Sequence, residues 1–581
     1  MKSRKLMCLA TITFGVMAMS IQPAAQEKDA KHHHYKLFDL GSFGGPGAPG
    51  GGFNGDGPSF GQLNARGMSV GALDSATLDP NGPNMCFFDC YVDISFVWHD
   101  GVVTALPSLP GGEDLSSYAS SINNFGQITG AAQNGATDPL TGWPGEIRAV
   151  LWQRGQIANL GTLGGNESSA NAINDLGQVV GGSLTKTPDP FANDNIAACG
   201  IYAGLPFTFN ALAVPGATET HAFIWQNGSM RDLHTLGGPD STAWIINDRG
   251  EVAGESFISF SANRSTGVPT VDPFFWSPED GKMTDLGGLG GTCGWTVWLN
   301  NRGQVVGVSN PPGDQTQHPF IWSKWQGMVD LFRNGNLGGT FGHPDWVNDR
   351  GEVVGYATTV PNNADGHAFL WRNGFLTDLG VIDTDPDSES TSINFAGQIV
   401  GISGSFFVMG GIHRGVLWED GNPIADLNTL VLPGTSMYVL TALFINDRGE
   451  IACTGTTAAV PNEHPCMLIP CDENHPGIEG CDYSLADATD EGRNPESVPK
   501  ATPPSTPRQR KNQMNRTRTP ILGDNASRTF SLDDREADSP RMDFRDSTVR
   551  RCSRAGQQCP PQQPCCPGLT CRPASTRAYC E

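Results

Sequence analysis

Histidine recurs at one position of a repeating pattern, and its imidazole can bind a metal ion or transfer a proton. The position opens a five-residue apolar segment, here called the pentad, that usually ends in tryptophan. Only half of the equivalent positions hold histidine, whereas a ring of metal ligands would need most of them. We therefore interpret these histidines as structural residues near the starts of strands. The eight positions are Ile94, Arg148, His221, Asp272, His318, His367, Arg414 and His464.

Aspartate recurs before leucine in the same pattern. A rim of such carboxylates could hold cations, but an aspartate side chain also accepts hydrogen bonds from backbone N–H groups close by in sequence. We therefore expect each aspartate to cap its own turn. A run of three histidines at 32–34 could bind metal, and we interpret it as a lead before the first strand. The recurring aspartates are Asp232, Asp285, Asp330, Asp378 and Asp426.

Motifs of known catalytic sites are absent from the sequence. It lacks a Gly-x-Ser-x-Gly elbow, a His-Glu-x-x-His zinc motif, a phosphate-binding glycine loop and a calcium loop with alternating acids. A sialidase-type Asp box is also missing. The sequence therefore predicts no catalytic residue, no metal site and no cofactor, and it favours a protein that is not an enzyme.

Long insertions interrupt the pattern at one point, between the pentad and the strand before it. The longest runs from 184 to 220, and shorter ones cover 131–146 and 257–270. In a radial repeat these insertions should emerge on one face, and variable loops on a rigid scaffold commonly bind ligands. The recurring tryptophans, by contrast, should pack between blades. The aromatic residues predicted to contact a ligand are Trp143, Tyr202, Phe207 and Phe209.

A repeat of about 50 residues carries all these features. Its clearest copy begins with the pentad at 221–225, continues through Asn227 and Gly228, and closes on Asn247 and Gly250. Eight such units fit between about Tyr35 and Cys471. Each period is marked by an asparagine, at positions 64, 123, 174, 247, 300, 348, 394 and 446.

Each unit offers four short strands, which predicts an all-β chain. Asn-Gly pairs such as 227–228 suit a hairpin turn after the pentad, and sequences such as Asn-Asp-Arg-Gly at 247–250 suit a second turn. Four strands per repeat describe a β-propeller blade. We predict eight blades, with seven as the alternative and an open solenoid third. If a blade is the pentad hairpin plus the next two strands, the last pentad should pair with the strand at Tyr35 and close the ring.

The repeat resembles the HAF family of extracellular repeats, whose name describes the His-Ala-Phe found here at 221–223 and 367–369. Its Asp-Leu-Gly, Leu-Gly-Gly and Ile-Asn-x-x-Gly pieces are also similar, over about Tyr35 to Cys481. The first pentad departs from the pattern at Ile94, and the last two units lack the Gly-Gly pair. The resemblance implies an extracellular repeat protein and no particular activity.

Residues 1–25 have the charged start, apolar stretch and small-residue end of a secretory signal peptide. Export to the cell exterior, or to a periplasm, would place the chain in an oxidising compartment where disulfides form. No later segment is apolar over the length of a bilayer span, so we expect no transmembrane anchor. Within the propeller region, 35–481, the plausible disulfide pairs are Cys86–Cys90, Cys453–Cys466 and Cys471–Cys481.

The composition changes twice after the repeats. Residues 482–550 are rich in Pro, Ser, Thr and Arg, which predicts a disordered linker. Residues 551–581 contain six cysteines, two of them adjacent, and resemble the cystine-knot (knottin) pattern. That resemblance implies the pairs 552–566, 559–571 and 565–580, and it fixes a scaffold without an activity. The six residues are Cys552, Cys559, Cys565, Cys566, Cys571 and Cys580.

The net charge of −23 argues against nucleic acid as a partner, because a phosphate backbone selects clusters of Lys and Arg. We predict a secreted, non-enzymatic binding or scaffold protein whose ligand is an extracellular glycan or protein. The alternative is a secreted hydrolase or lyase that acts on polysaccharides. Such an enzyme needs two carboxylates, or a carboxylate with Tyr or His, in one pocket.

Overall fold

The structure is a computed structural model in two units, residues 1–483 and 484–581. No helix in the described part of the chain has the length and apolarity of a membrane span. The predicted signal peptide, nearly all of the predicted linker, and Cys86 and Cys90 lie outside the described residues. The structure describes residues 32–45, 62–80, 91–140, 142–192, 216–264, 266–361, 365–405, 413–419, 422–457, 463–481, 483, and three short strands between 558 and 580.

Eight antiparallel sheets form the first unit and confirm the all-β, eight-bladed propeller. In blade 1 the innermost strand is reduced to a bridge between Leu63 and Ser69. Blades 1 to 4 contain β2 (Ser69–Leu78), β3 (Tyr91–His99), β4 (Val102–Ala105); β5 (Ser117–Ile122), β6 (Ile128–Gln133), β7 (Ile147–Gln153), β8 (Gln156–Asn159); β9 (Ser168–Ile173), β10 (Val179–Pro188), β11 (Thr218–Gln226), β12 (Ser229–His234); and β13 (Ser241–Ile246), β14 (Val252–Phe257), β15 (Val271–Trp276), β16 (Met283–Asp285).

The second half of the ring continues the same order, and the first strand of the chain returns to complete it. Short helical turns occur at α1 (Leu427–Leu430) and as a 3-10 turn at Leu331–Asn334. Blades 5 to 8 contain β17 (Gly294–Leu299), β18 (Val305–Ser309), β19 (His318–Ser323), β20 (Gly327–Asp330); β21 (Gly342–Val347), β22 (Val353–Thr358), β23 (Gly366–Arg372), β24 (Phe375–Asp378); β25 (Asp387–Ile393), β26 (Ile399–Gly404), β27 (His413–Trp418), β28 (Ala425–Asp426); and β29 (Tyr438–Ile445), β30 (Ile451–Thr456), β31 (His464–Pro470), β1 (Tyr35–Asp39).

The predicted closure of the ring is confirmed, but the predicted grouping of strands is wrong. β1 pairs antiparallel with β31, the last pentad strand, and Tyr35 lies opposite Pro470. A blade, however, consists of the pentad hairpin and the two strands before it, as β13 and β14 precede β15. The tight Asn-x-x-Gly turn keeps the first two strands in one sheet, while the Gly-rich connection after the fourth strand leads to the next blade.

The two ends of the ring differ because antiparallel strands place successive connections at alternate ends. All Asn-x-x-Gly and Asn-Gly turns lie at one end, which we call the turn face. Connections between the second and third strands, and between blades, lie at the other end, the loop face. The three insertions fall in the β6–β7, β10–β11 and β14–β15 connections, so all three begin and end at the loop face, as predicted.

Close packing of each first strand against the second explains a recurring glycine. A Cβ at Gly254 would collide with the carbonyl oxygen of Thr242 and lie 2.8 Å from the ring of Phe274, which is fully buried. The register of β13 shifts at the same level, between Ala243 and Ile245. A β-bulge that pushes backbone toward its neighbour thus requires glycine there.

Two of the predicted disulfides are confirmed. Cys453 bonds Cys466 from the directly opposed position on the neighbouring strand, and Cys471 bonds Cys481 where the chain leaves the propeller. The second unit contains a small sheet in the order β32-β34-β33. The pairs implied by the knottin resemblance lie outside the residues whose side chains are described. The strands of this sheet are β32 (Gln558–Cys559), β33 (Cys571–Ala574) and β34 (Arg577–Cys580).

Candidate functional site

Each Asn-x-x-Gly turn is shaped by the side chain of its asparagine. Oδ1 of Asn300 accepts hydrogen bonds from the backbone N–H groups of Arg302 and Gln304, both at 3.0 Å, and Gly303 has a φ of 74°. The same two bonds occur in seven of the eight turns. Asn394 bonds instead to the residues three and four positions further on. The motif is therefore a local turn, as its Asn and Gly predict.

The other amide atom of each asparagine connects neighbouring blades. Nδ2 donates to the backbone carbonyl of the equivalent asparagine in the next blade, at 2.9–3.1 Å, and the eighth residue closes the circle on the first. We call this closed ring of eight hydrogen bonds the asparagine belt. Its members are Asn64, Asn123, Asn174, Asn247, Asn300, Asn348, Asn394 and Asn446.

All but one of the belt amides use their full hydrogen-bonding capacity within the protein; the exception is Asn64, because residue 68 is methionine. In seven of them Nδ2 also donates to a Gln or Glu four residues on, as from Asn300 to Gln304 at 2.8 Å. Two donors and two acceptor positions are the full capacity of an amide side chain. The belt is therefore a structural device.

A cavity of about 320 Å³ opens on the axis at the turn face, bounded by the belt and the apolar residues before it. Trp298 and Trp346 stack in its wall with ring centroids 3.7 Å apart, and Phe444 lies 6.1 Å from Trp346. Its mouth carries four carboxylates one residue beyond the belt, each accepting from a backbone N–H of the preceding blade. These are Asp175, Asp248, Asp349 and Asp447.

Three ionisable side chains meet on the inner strands of blades 6 and 7, in the half of the ring nearer the loop face. His343 and Asp345 belong to β21 and Glu389 to β25. His343 Nδ1 lies 3.2 Å from Asp345 Oδ1, and His343 Nε2 lies 3.9 Å from Glu389 Oε1. Their side chains are 26, 23 and 21% exposed, so small solutes can reach them. We call these three residues the axial cluster.

The axial cluster combines one histidine with two carboxyl groups, and the pKa values of all three are raised. Burial lowers the pKa of His343, but the charge and hydrogen bond of Asp345 and the charge of Glu389 outweigh it and raise that pKa to about 9. Burial, followed by the charge of Asp345, raises the pKa of Glu389 to about 7. Burial also raises the pKa of Asp345 despite the opposing charge and hydrogen bond of His343. One histidinium thus faces two carboxyl groups that both resist ionisation.

A tyrosine supports the imidazole of the cluster. Tyr356 lies directly opposite His343 on β22. The two rings stack with centroids 5.5 Å apart and an interplanar angle of 26°. Burial and the surrounding carboxylates, Asp387 first among them, raise the pKa of the Tyr356 phenol. The tyrosine therefore stays protonated and restricts the orientation of the imidazole.

The recurring histidines and aspartates pair with one another, which explains both recurrences. His318 Nδ1 lies 2.9 Å from Asp330 Oδ2, while Asp330 Oδ1 accepts from the N–H of Phe332 at 2.8 Å. In blade 7 an arginine replaces the histidine, and Arg414 lies 3.7 Å from Asp426. All five recurring aspartates accept from the backbone N–H two residues on, which confirms that they cap turns, and the histidines bond to them near strand starts. The other pairs are His221–Asp232, His367–Asp378 and His464–Asp39.

Blade 3 adds a second histidine to such a pair. His234 Nδ1 lies 3.3 Å from Asp232 Oδ2, which also contacts His221. The ligand atoms of these three residues lie within 4.8 Å of one another, as do those of the axial cluster. The side chain of His234 is 78% exposed. This surface cluster provides a natural control for experiments on the axial cluster.

Of the predicted ligand contacts, only Trp143 lies within the described residues. It belongs to the β6–β7 connection on the loop face and is partly exposed. Tyr202, Phe207 and Phe209 lie outside the described residues. The recurring tryptophans pack as expected; Trp152, for example, is 2% exposed and donates from Nε1 to the carbonyl of Pro107 at 2.7 Å.

The axial cluster was not predicted from the sequence. Its residues do not recur from blade to blade, and Glu389 approaches His343 only because neighbouring inner strands meet at the axis. Charged residues in the segments before the belt asparagines could have indicated the cluster. The inner strands of blades 2 and 3 read SYASSI and SSANAI, without charge, whereas those of blades 6 and 7 read GHPDWV and DSESTSI.

Comparisons with known proteins give no family. No protein-family model matches this chain, and neither does any curated protein. Among solved structures it is similar to a PL25 ulvan lyase (11% identity, TM-score 0.30, 76% of this chain and 96% of that one). It is also similar to dipeptidyl peptidase 4 of Porphyromonas gingivalis (10%, 0.28, 68% and 50%) and to a mutant of AofleA from Arthrobotrys oligospora (13%, 0.22, 43% and 76%). TM-scores this low carry no argument about function.

Proposed function

We propose that this protein is a secreted, non-enzymatic binding or scaffold protein that presents the loop face to a glycan or protein ligand. The observation that carries the proposal is the contrast between the two faces. The turn face is built from tight turns joined by the asparagine belt. The longer connections between described strands, such as the one between β10 and β11, begin and end at the loop face. A rigid ring with variable loops on one face suits recognition without large rearrangement.

A binding screen with face-specific variants tests this function. The purified protein is applied to glycan and extracellular-protein arrays, alongside Trp143→Ala and a variant in which a short Gly-Ser linker replaces residues 193–215. The matched control is Trp325→Ala, because Trp325 is 80% exposed in the β19–β20 turn on the opposite face. We expect the loop-face variants to lose binding at least tenfold and the control to retain it.

Two outcomes would reject the proposal. Binding that survives the loop replacement but is lost in Trp325→Ala would assign recognition to the wrong face. A correctly folded protein that binds no glycan and no protein in the arrays would remove the binding function altogether.

We further propose export through the signal peptide at 1–25, HAF-like repeats in the ring, and a knottin-like module at 551–581. The Cys453–Cys466 and Cys471–Cys481 disulfides support an oxidising compartment for the mature chain. Mass mapping of disulfides in the secreted protein would test the knottin-like module, for which we expect the pairs 552–566, 559–571 and 565–580. Any other connectivity among these six cysteines would contradict it.

A second candidate function is hydrolysis or elimination on a polysaccharide, and the axial cluster favours it. His343, Asp345 and Glu389 supply the histidine and two carboxyl groups that such chemistry needs in one place. Glu389, with its pKa raised to about 7, suits a general acid at neutral pH. Asp345 in its ionised form would then act as the base, because His343, with its pKa raised to about 9, is already protonated at neutral pH.

Product analysis on a panel of neutral and acidic polysaccharides tests this candidate. New reducing ends indicate hydrolysis, and ultraviolet absorbance of an unsaturated product indicates elimination. Glu389→Gln should lower the rate at least about 100-fold, in the range usual for loss of a general acid. His234→Ala in the surface cluster should leave it unchanged. Activity that persists in Glu389→Gln, or no activity on any polysaccharide, excludes the axial cluster as a catalytic site for these reactions.

A further inference from the structure

The position that Asp345 occupies in the fold holds a hydrogen-bond donor in three other blades. The inner strands carry a register shift at one level, and the shifted residue in blades 2, 3 and 7 is Ser120, Asn171 or Thr391. Each of these side chains donates to a backbone carbonyl of the next inner strand at 2.8 Å. In these three blades the shifted side chain bonds to the next blade, whereas in blades 4 and 5 the shifted residues are Trp244 and Val297.

Asp345 occupies this level in blade 6, where the register shifts between Pro344 and Trp346. An ionised carboxylate has no donor and cannot bond to a carbonyl of the next strand. Its Oδ2 is shielded from solvent and has no hydrogen-bond partner. An unsatisfied buried oxygen costs about 1–3 kcal/mol, and more when it is charged. Packing of the ring therefore gives no reason for an aspartate here.

The neighbours of Asp345 are those that would help it bind a cation. His343 and Glu389 each offer a ligand atom, and all three ligand atoms lie within 4.8 Å of one another. Tyr356 stacks on the imidazole and limits its rotation. A dication would balance the two carboxylates and give Asp345 Oδ2 the partner that it lacks.

We propose that His343, Asp345 and Glu389 bind one divalent transition-metal cation, of which Zn²⁺ is the best representative. One imidazole nitrogen with two carboxylate oxygens suits Zn²⁺ or Mn²⁺ better than Ca²⁺, which prefers an all-oxygen site. Three protein ligands leave at least one coordination position for water or for an oxygen of a bound molecule. The inference is independent of the binding function of the loop face.

Equilibrium metal binding to the full chain tests the site. The protein is stripped with a chelator and titrated with ZnCl₂, MnCl₂ or CaCl₂, followed by calorimetry. We expect one tight Zn²⁺ per chain, with Mn²⁺ weaker and Ca²⁺ weakest. Asp345→Asn and Glu389→Gln should weaken Zn²⁺ binding by more than about 100-fold, because losing a group that merely orients a ligand already costs about 10–100-fold.

A stability measurement separates loss of the site from loss of the fold. Asp345→Asn restores an amide donor like that of Asn171, so without metal it should unfold at the same or a higher denaturant concentration than the unmodified protein. Added Zn²⁺ should stabilise the unmodified protein and not this variant.

Control variants and contrary results complete the test. His234→Ala changes the surface cluster and His33→Ala the run of histidines, and both should keep the tight site. Absence of saturable Zn²⁺ binding would overturn the proposal, as would tight binding that survives Asp345→Asn and Glu389→Gln. Tight binding lost in His234→Ala or His33→Ala would place the metal elsewhere and overturn it equally.

Discussion

At the residue scale, the amide of each belt asparagine both shapes a turn and joins two blades. A belt asparagine shapes its own turn with Oδ1 and bonds the next blade with Nδ2. Both tasks use buried atoms, since Asn300 is 4% exposed. Replacing it therefore leaves several buried donors and acceptors unpaired at once, each of which costs free energy.

Asn300→Ala should destabilise the protein by about 2–4 kcal/mol, because the Arg302 and Gln304 N–H groups lose their acceptor and the Asn348 carbonyl keeps only the bond from the Gly351 N–H. Asn300→Asp keeps the acceptor for the turn but turns an oxygen toward the Asn348 carbonyl, and it should also be destabilised. Denaturant unfolding measures both. Asn334→Ala, which removes an exposed bond to Gly374, is the control with a change below about 0.5 kcal/mol. An Asn300→Asp variant of unchanged stability would contradict a role for the bond between blades.

His475 attaches the segment after the ring to the belt. Its Nδ1 lies 2.7 Å from Asp472 and its Nε2 lies 3.1 Å from Glu450, which in turn accepts from belt Asn446 at 2.6 Å. Burial lowers the pKa of His475, but its hydrogen bonds to both carboxylates outweigh this and raise it above 6.5. Burial raises the pKa of Glu450, and its bonds to His475 and Asn446 outweigh this and lower it below 4.5.

We expect the contact of His475 with Glu450 and Asp472 to stabilise the fold most within a limited range of pH. The His475 contribution is complete below about pH 6.5 and is lost as pH rises through its raised pKa. The Glu450 contribution is complete above about pH 4.5 and is lost as pH falls through its lowered pKa. His475→Gln should remove about 1–3 kcal/mol inside this window and less outside it, measured as unfolding free energy against pH. A difference between the two proteins that is flat with pH would contradict the charge assignment.

At the element scale, the backbone of the innermost strand restricts which residues fit on the second strand of the same blade. Gly181 and Gly182 are adjacent on β10 but face different surroundings. A Cβ at Gly181 would collide with the carbonyl oxygen of Ser169, whereas a Cβ at Gly182 would lie 3.3 Å from Thr220 and 3.5 Å from Thr242. Glycine is thus sterically required at position 181 and not at position 182.

Gly181→Ala should destabilise the protein by about 3 kcal/mol or prevent folding, because backbone rather than a flexible side chain must move. Gly182→Ala should change stability by less than about 1 kcal/mol, since its neighbours are side-chain ends that can adjust. Soluble yield and the denaturant midpoint compare the two variants. Equal effects would show that the bulge tolerates a side chain.

At the scale of the whole molecule, the ring depends on a strand contributed by the start of the chain. β1 fills the edge of β31 and buries Tyr35, Leu37 and Leu40, which are 1, 8 and 6% exposed. An unfilled edge would expose unpaired backbone groups that can pair with another chain. Eight blades therefore become one closed unit only through a contact between distant parts of the sequence.

A chain that lacks residues 32–40 should lose more than about 4 kcal/mol of stability, because three large apolar side chains are no longer buried. It should also self-associate through the free edge of β31. A chain that begins at residue 32 is the control and should remain monomeric. Light scattering and denaturant unfolding give both readouts. A monomeric, fully stable shortened chain would contradict closure by β1.

Much of the architecture could be predicted from particular residues. The spacing of the belt asparagines gave eight repeats, and the Asn-Gly pair at 227–228 gave a hairpin. Turns and pairs of adjacent strands depend on residues close in sequence, so a repeat reveals them. The blade boundary was wrong because sequence alone does not reveal which of two neighbouring hairpins continues the sheet.

The repeat, its turns, its strand pattern and the pairing of the first strand with the last pentad could all be predicted from the residues, because they follow from local preferences and from counting. The bond from the Asn300 amide to Asn348 and the cluster of His343, Asp345 and Glu389 depend instead on how the blades pack. The physical reason is that radial packing brings inner strands one repeat apart to a common axis. Contacts between neighbouring inner strands leave a recurring sequence pattern when every blade makes them, as in the belt, and none when only two blades do so.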